Sequence, residues 1–395
     1  MIAKETIERV RADIPALHGQ IYLNTGTMGP SPRPVHQAFI RAYEVWQASL
    51  PGDPDVYRKT HEGVESARSK LGAYLGVSPG NIALTGNSSD GVNIIISGMR
   101  WQEGDEIIIS DQEHPAVFVP WMRLAHSAGA RGLILWLDND ARVTMDRLRS
   151  LVSPRTRLVL LSHVTSMTGL VLPVREMADI VHEAGALFML DGAQACGNIE
   201  VNIPSTGADF YTMNGHKWLL APAGTGALFV SDRGLEQVEP TFVGSGSHVP
   251  VSYMRNPVLE YQPGAKRFEF GTRNWSLYKG LEASLDYLEA CGGAPELAAR
   301  SRHLATTAKE AFSPVPGVAV LSAREFRASS GIVTVRINSI PAQEVYARLH
   351  DMHIITRVVN ELDAIRFSFA FFNTEEEVGL AADALAGIAR GAHAG

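Results

Sequence analysis

The chain has 395 residues, 45% of them apolar and 19% charged, which is an ordinary globular balance and enough for two domains of roughly 100–200 residues each. The formal charge of −7 is spread without blocks of one sign, which disfavours nucleic acid as a partner. Two cysteines, Cys196 and Cys291, exclude a disulfide framework and a cysteine-rich metal site.

The first residues mix Lys, Glu and Arg, so no secretory signal is expected. Ile7, Val10 and Ile14 recur at helical spacing instead. No run approaches the roughly 18 apolar residues of a membrane span, and a cytoplasmic protein is expected. From Val77 to Val230 short β-rich runs alternate with helical patterns, as in a parallel α/β sheet. Ile82–Thr85 reads as a strand. After Gly86-Asn87, the residues Val92, Ile95, Ile96 and Met99 share a helix face. Ile107–Ser110 reads as a strand running into Asp111-Gln112-Glu113-His114, and Leu158–Leu161 as one running into Ser162-His163. Val174–Ala184 is expected to be helical, with Gly185 placed to end it. The apolar strand Leu187–Leu190 stops on Asp191, and strand Phe210–Met213 stops before Asn214-Gly215-His216-Lys217. Polar residues thus gather after the carboxyl ends of strands, the edge where open α/β sheets bind ligands.

Leu235–Gln262 reads as a long irregular excursion. Leu277, Leu281, Leu285 and Leu288 line a helix stopped by Gly292-Gly293. Beyond it, Ile332–Val335, Ile354–Val358 and Ile365–Phe369 read as strands, and Thr374 with Glu377 forms a capping-box spacing before a last helix. The expected organisation is an N-terminal segment over 1–25 packing on the small domain, a large domain over 26–274, a bridging helix over 275–292 and a small α+β domain over 293–395.

Several of these strand-end residues carry chemistry. Lys217, followed by Trp218-Leu219-Leu220, is easily desolvated, which favours the neutral amine that forms a Schiff base. Alone it reads as a surface lysine after a turn. Asp191 ends a very apolar strand and needs a partner there; a protonated pyridine nitrogen, a helix cap and an ion pair all satisfy it. Gln194 lies three residues on, within reach of a ring hydroxyl. The turn Gly86-Asn87-Ser88-Ser89-Asp90-Gly91 between strand and helix suits a phosphate, as any serine-rich cap would. His114 can stack on a planar ring or serve the core. Arg366, among apolar residues, either pairs with a buried acid or takes a substrate carboxylate bidentately. Together they provide a candidate for each part of a pyridoxal 5'-phosphate (PLP) site acting on an amino acid.

Asp191-Gly192-Ala193-Gln194-Ala195, Gly215-His216-Lys217 and Gly224-Thr225-Gly226, in that order, resemble the class V aminotransferase family of fold-type I PLP enzymes. That family includes cysteine desulfurases, isopenicillin N epimerase-like proteins, C–S lyases and kynureninase. Leu23-Asn24-Thr25-Gly26, Glu113-His114-Pro115, Ser162-His163-Val164-Thr165-Ser166, Phe268-Glu269-Phe270-Gly271-Thr272 and Arg366-Phe367-Ser368 extend the match over nearly the whole chain. The resemblance implies a large domain with a mostly parallel sheet flanked by helices and a smaller α+β C-terminal domain. It implies that Lys217 bonds PLP and moves the proton, that Asp191 pairs with the ring nitrogen and Gln194 with the ring oxygen, and that His114 stacks on the ring. Ser88, Ser89 and His216 would hold the phosphate. Thr272 would reach the phosphate of a neighbouring subunit, hence a homodimer. Arg366 would take the substrate carboxylate, with Asn24, Ser166 and Arg357 on the substrate side.

Two departures matter. Cysteine desulfurases carry a nucleophilic cysteine on a loop between two arginines, whereas the stretch from Arg357 to Arg366 has none, so a persulfide-forming desulfurase is not expected. Asn214 stands where desulfurases often have a serine near the phosphate. The leading expectation is β-elimination of a cysteine-derived C–S bond. Transamination, epimerisation and decarboxylation-linked chemistry stay open, because all use the same lysine and ring. Val243–Gln262, Thr27-Met28 and Tyr57 are candidates for lining the side-chain pocket.

Overall fold

In the computed structural model, which describes residues 2–50, 52–249, 259–338 and 340–392, the chain builds three sheets. The strands in chain order are β1 (Ile21–Tyr22), β2 (Ile82–Thr85), β3 (Glu106–Ser110), β4 (Arg131–Leu135), β5 (Thr156–Ser162), β6 (Leu187–Asp191), β7 (Phe210–Asn214), β8 (Gly226–Val230), β9 (Val318–Val320), β10 (Ile332–Ile337), β11 (Ile354–Ile355), β12 (Arg357–Val359) and β13 (Ala364–Ser368).

The large sheet has the order β2-β8-β7-β6-β5-β3-β4. All its pairs are parallel except those of β8, which runs against both neighbours. Helices cover both faces, so β6 and β7 are buried along their whole length and read as continuous apolar runs. After β3 the chain steps outward to β4 and returns to β5 on the other side of β3. The crevice beyond that reversal is where such sheets bind ligands.

Helix Ser88–Gly98 lies directly on β7. A Cβ on Gly91 would stand 2.2 Å from Thr212 Oγ1, so only glycine permits this approach. That contact brings the Gly86–Gly91 turn onto the end of β7. The four-stranded sheet β12-β13-β10-β9 is antiparallel and packs on helices Gly293–Phe312 and Glu375–Ala392. Phe312, Phe367 and Phe369 form its centre, with ring centroids 5.2 and 6.5 Å from Phe312.

The expected capping box forms: Thr374 Oγ1 accepts from the Glu377 N–H at 3.2 Å, and Glu377 Oε2 accepts from the Thr374 N–H at 3.1 Å. The expected single strand Ile354–Val358 is instead two strands with different partners. β11 pairs in parallel with β1, and β12 pairs with β13. An alternating pattern reports which face is buried, not which neighbour is paired. The N-terminal segment touches both sheets: Asn24 bridges to Ser368, and the Gly29 N–H donates to the His216 carbonyl at 2.8 Å. No described helix is long and apolar enough to cross a membrane.

Candidate active site

A cavity of about 530 Å³ opens beyond the carboxyl ends of β3, β5, β6 and β7. The β12–β13 hairpin and Gly26-Thr27 close it from the other side. Of the residues expected at the site, Ser88, Ser89, His114, Ser166, Asp191, Gln194, His216, Lys217, Arg357 and Arg366 all line it.

Lys217 follows β7 in a tight turn closed by the Leu220 N–H on the Lys217 carbonyl at 3.0 Å. Leu220 sits at φ +59°, a conformation that costs a side-chain-bearing residue about 1–3 kcal/mol. Trp218 is buried beside it and donates from Nε1 to Gln194 Oε1 at 2.8 Å. Gly29 packs on the same turn, where a Cβ would be 2.0 Å from the Lys217 carbonyl oxygen. Burial, reinforced by Arg366 and opposed by Asp191, pulls the Lys217 ammonium down to about 8, so the reactive neutral amine is accessible near neutral pH.

Asp191 is buried at the end of β6, where its Oδ1 accepts from the Ala193 N–H at 2.9 Å. Burial raises its pKa, opposed by Lys217 and by hydrogen bonds from Ala193 and Ser88. It has no ion pair among the described residues. A buried carboxylate in that condition needs a cation, and a protonated ring nitrogen is one. Gln194 is anchored, donating from Nε2 to the Gly26 carbonyl at 2.8 Å as well as accepting from Trp218.

His114 caps helix Pro115–Ala128, its Nδ1 accepting from the Ala116 N–H at 3.1 Å. Burial, then Lys217 and Arg366, lower its pKa to about 4. It is therefore a neutral ring, suited to stacking. His216 Nδ1 is buried with no hydrogen-bond partner, an orphan beside the Ser89 turn that a phosphate oxygen would satisfy.

Arg366 is 6% exposed and has no carboxylate partner among the described residues. Its Nη1 donates to the Ser166 carbonyl at 2.8 Å and its Nη2 to Thr27 Oγ1 at 2.9 Å, while Nε is unpaired. Burial, then the neighbouring Arg357, lower its pKa to about 10, and it stays charged. Arg357 stands opposite Arg366 across the β12–β13 ladder. Two like charges placed so are unfavourable without an anion between them.

Two expected residues are not brought to this cavity. Asn24 lies on the bridge to Ser368, and Gly26 and Thr27 take the lining positions. Thr272 is exposed and outside the cavity of its own chain. Among the pocket candidates Thr27 lines the cavity, but Met28 is exposed and Tyr57 packs against His61 elsewhere, the tilted rings 4.3 Å apart. Residues 250–258 of Val243–Gln262 lie outside the described residues.

Asn360 and Glu361 of the hairpin turn, and Glu113, line the cavity without having been singled out for it. Glu113 is fully buried. Its Oε1 accepts from Ser110 Oγ at 2.6 Å and from the Ser162 N–H at 2.9 Å, and its Oε2 from Ser162 Oγ at 2.5 Å. It thus ties β3 to β5 at the reversal of the sheet. Burial, against the serine hydrogen bonds, pushes its pKa from 4.5 up to about 7. Between those values the folded chain keeps a proton that the unfolded chain releases, so stability falls as pH rises through that window. Glu113→Gln should remove about 3 kcal/mol of the stability lost between pH 5 and pH 8. Denaturant unfolding of both proteins at the two pH values checks this.

The sequence profile described as aminotransferase class-V matches residues 21–380. The chain is 30% identical to a probable cysteine desulfurase of Methanothermobacter thermautotrophicus, over 97% of this chain and 98% of that protein. It is 32% identical to an isopenicillin N epimerase of Streptomyces clavuligerus, over 92% and 94%. A cystine C–S lyase solved with its reaction product, cysteine persulfide, superposes with a TM-score of 0.88 at 27% identity, covering 94% of this chain and 99% of that one. The protein belongs to the class V aminotransferase family. It is a PLP-dependent enzyme of fold type I.

Proposed function

We propose that the protein is a β-eliminating C–S lyase that cleaves a cysteine-derived substrate to pyruvate, ammonia and a thiol or persulfide. The observation that carries this reading is the β12–β13 connection. Residues 360–363 form a tight turn, with Asp363 at φ +43° and its Oδ1 accepting from the Ala342 N–H, so no extended loop and no thiol faces the substrate. Cys196 is buried beneath Asp191 with its thiol pushed up to about 12, and Cys291 caps helix Ser276–Ala290. A sulfur atom leaving the substrate has no protein thiolate to receive it and departs in the product.

PLP, when bound, supplies the electron sink that makes the substrate Cα proton removable. Lys217 Nζ takes that proton and returns one to the product. Asp191 holds the ring nitrogen, Gln194 the ring oxygen, and Ser89 and His216 the phosphate. Arg366 receives the α-carboxylate, its unpaired Nε completing the fork, and Arg357 draws in a further anionic group. His114, neutral with Nδ1 already accepting, does not donate a proton from the opposite face at neutral pH. One base on one face suits elimination better than a two-base epimerisation. Thr272, exposed on its own subunit, reaches the phosphate of a second copy in a homodimer.

Holoenzyme should release pyruvate and persulfide in equal amounts from cystine, and pyruvate and thiol in equal amounts from cysteine thioether conjugates. No pyruvate across a broad panel sinks the lyase reading. Stoichiometric bleaching of the cofactor's visible band by an amino donor, reversed by a keto acid, replaces it with transamination. Arg366→Ala should raise KM by roughly 100-fold while leaving the PLP Kd nearly unchanged, because it leaves the substrate's buried charge unpaired. Equal loss of both would make the arginine structural.

A further inference from the structure

Beyond β5 the chain doubles back between Val164 and Val171, which bridge. The tip of this loop is a single turn, closed by the Gly169 N–H on the Thr165 carbonyl at 3.1 Å. Such a turn, like the last turn of a helix, points its carbonyls one way and leaves them without backbone donors. Side chains of the four-stranded sheet supply the donors instead. Arg366 Nη1 on β13 donates to the Ser166 carbonyl at 2.8 Å, and Thr334 Oγ1 on β10 to that of Met167 at 2.6 Å. From the β9–β10 connection, Ser322 Oγ donates to the Thr168 carbonyl at 2.6 Å and Ser330 Oγ to that of Gly169 at 2.8 Å. Successive carbonyls are thus met one for one. A carbonyl only accepts, so the single proton of each hydroxyl is used here. Ser322 Oγ accepts in turn from the Thr334 N–H at 2.8 Å. Thr334, Ser322 and Ser330 are buried and lie outside the cavity, whereas Ser166, Met167 and Arg366 line it. Gly169, at φ +74°, makes the close approach possible: a Cβ there would be 2.5 Å from Ile332 Cβ.

Thr334 stands directly opposite Arg366 in the β10–β13 ladder. Side by side, the two hold neighbouring carbonyls of one turn, so a shift of the Ser166 carbonyl strains the Thr334 bond as well. Thr27 Oγ1 grips the guanidinium from its other side at 2.9 Å. We infer that Thr334, Ser322 and Ser330 are positioning residues for Arg366. They fix the Ser166–Gly169 turn, the turn fixes the guanidinium, and the arginine is held aimed at the α-carboxylate. The inference rests on the reading that Arg366 takes that carboxylate. A fork held in place beforehand loses less side-chain freedom on binding. The three hydroxyls therefore act on recognition of the carboxylate, which every amino-acid substrate carries, and not on the hold over the cofactor.

The test uses PLP-loaded enzyme and two probes whose binding is read from the cofactor's visible band: glycine, and methylamine, which is glycine without its carboxylate. Arg366→Ala should weaken glycine by roughly 100-fold and leave methylamine in place. Thr334→Val keeps the shape and loses the hydroxyl. It should weaken glycine about 5–10-fold, the scale of one hydrogen bond, with the Kd values for methylamine and PLP unmoved. Thr334→Ser should restore glycine binding, and Ser322→Ala should move it in the same direction as Thr334→Val. In the Arg366→Ala background Thr334→Val should have no further effect, because it acts through the arginine. If Thr334→Val leaves glycine unmoved, or weakens glycine and methylamine alike, the hydroxyl is merely structural and the inference is overturned. A full further loss in the double variant overturns it too. If Thr334→Val does not fold, an unmoved glycine Kd in Ser322→Ala overturns it equally. If Arg366→Ala leaves glycine unmoved, the placement of the carboxylate at Arg366 fails, and the inference with it.

Discussion

Lys217→Ala should take up PLP without developing the visible band of the parent protein, and turnover should fall by about 10³–10⁴-fold. Two roles end together, the covalent hold on the cofactor and the base at substrate Cα. The surroundings are organised around this one amine. The Lys217–Leu220 turn bears a left-handed leucine, Gly29 is pressed against the Lys217 carbonyl, and burial brings the ammonium down to about 8. Lys217→Arg keeps the charge but not a deprotonatable amine, and should be as inactive as Lys217→Ala. Absorbance spectra and single-turnover rates at pH 7 and 9 check both variants. An unchanged spectrum in Lys217→Ala would mean that another group holds the cofactor.

The largest stability effect is expected far from that amine. Arg68→Ala should cost about 3–5 kcal/mol, because it leaves Glu269 as an uncompensated buried charge. The Arg68 guanidinium is almost fully buried in helix Pro54–Leu75. It bonds Glu269, donates to the Ile82 carbonyl at 2.8 Å, and reaches Glu65 at 3.2 Å. Glu269 in turn accepts from the Leu84 N–H at 2.7 Å. These groups join a helix, the Gly264–Phe268 turn and edge strand β2, which leads into the Ser88-Ser89 turn. Replacing both charges, Arg68→Met with Glu269→Leu, should recover most of the loss, since no charge is then stranded. Denaturant midpoints of the single and double variants decide this. A double variant no more stable than either single would show that the pair contributes through its backbone hydrogen bonds alone.

What could be read without coordinates follows from burial. β6 and β7 are covered on both faces, so Leu187–Leu190 and Phe210–Met213 stand out as unbroken apolar runs, and the polar residues that end them point to the ligand edge. β4 is a half-buried edge strand whose run Arg131–Leu135 begins on a charge, and it gave no such signal. The partner change between β11 and β12 was equally hidden, because Ile354–Val358 is one β-rich run and pairing leaves no mark on composition. At the site, Lys217, Asp191 and Arg366 could be picked out because each is a polar residue beside apolar ones, and His114 because it follows the strand Ile107–Ser110. Glu113 could not: one of the two serines that make its burial tolerable, Ser162, lies 49 residues away in sequence. Nor could the hydrogen bonds between Ser88 and Asn214, 126 residues distant. Asn24 lies outside the cavity for a simpler reason: the chain turns over residues 25–27, and Gly26 and Thr27 take the lining positions.

The pairing of β1 with β11 also bears on the order in which the protein comes into being. Ile21 leaves the ribosome long before its partner Ile354, which follows about 330 residues later. At synthesis rates of roughly 5–20 residues per second, that delay is on the order of 15–70 s. Throughout it the segment that will contribute Gly26 and Thr27 to the cavity lacks its pairing with β11. Completion of the catalytic pocket is therefore a late, post-assembly event. A nascent chain arrested before residue 354 should expose its first thirty residues to protease while the large sheet is already resistant.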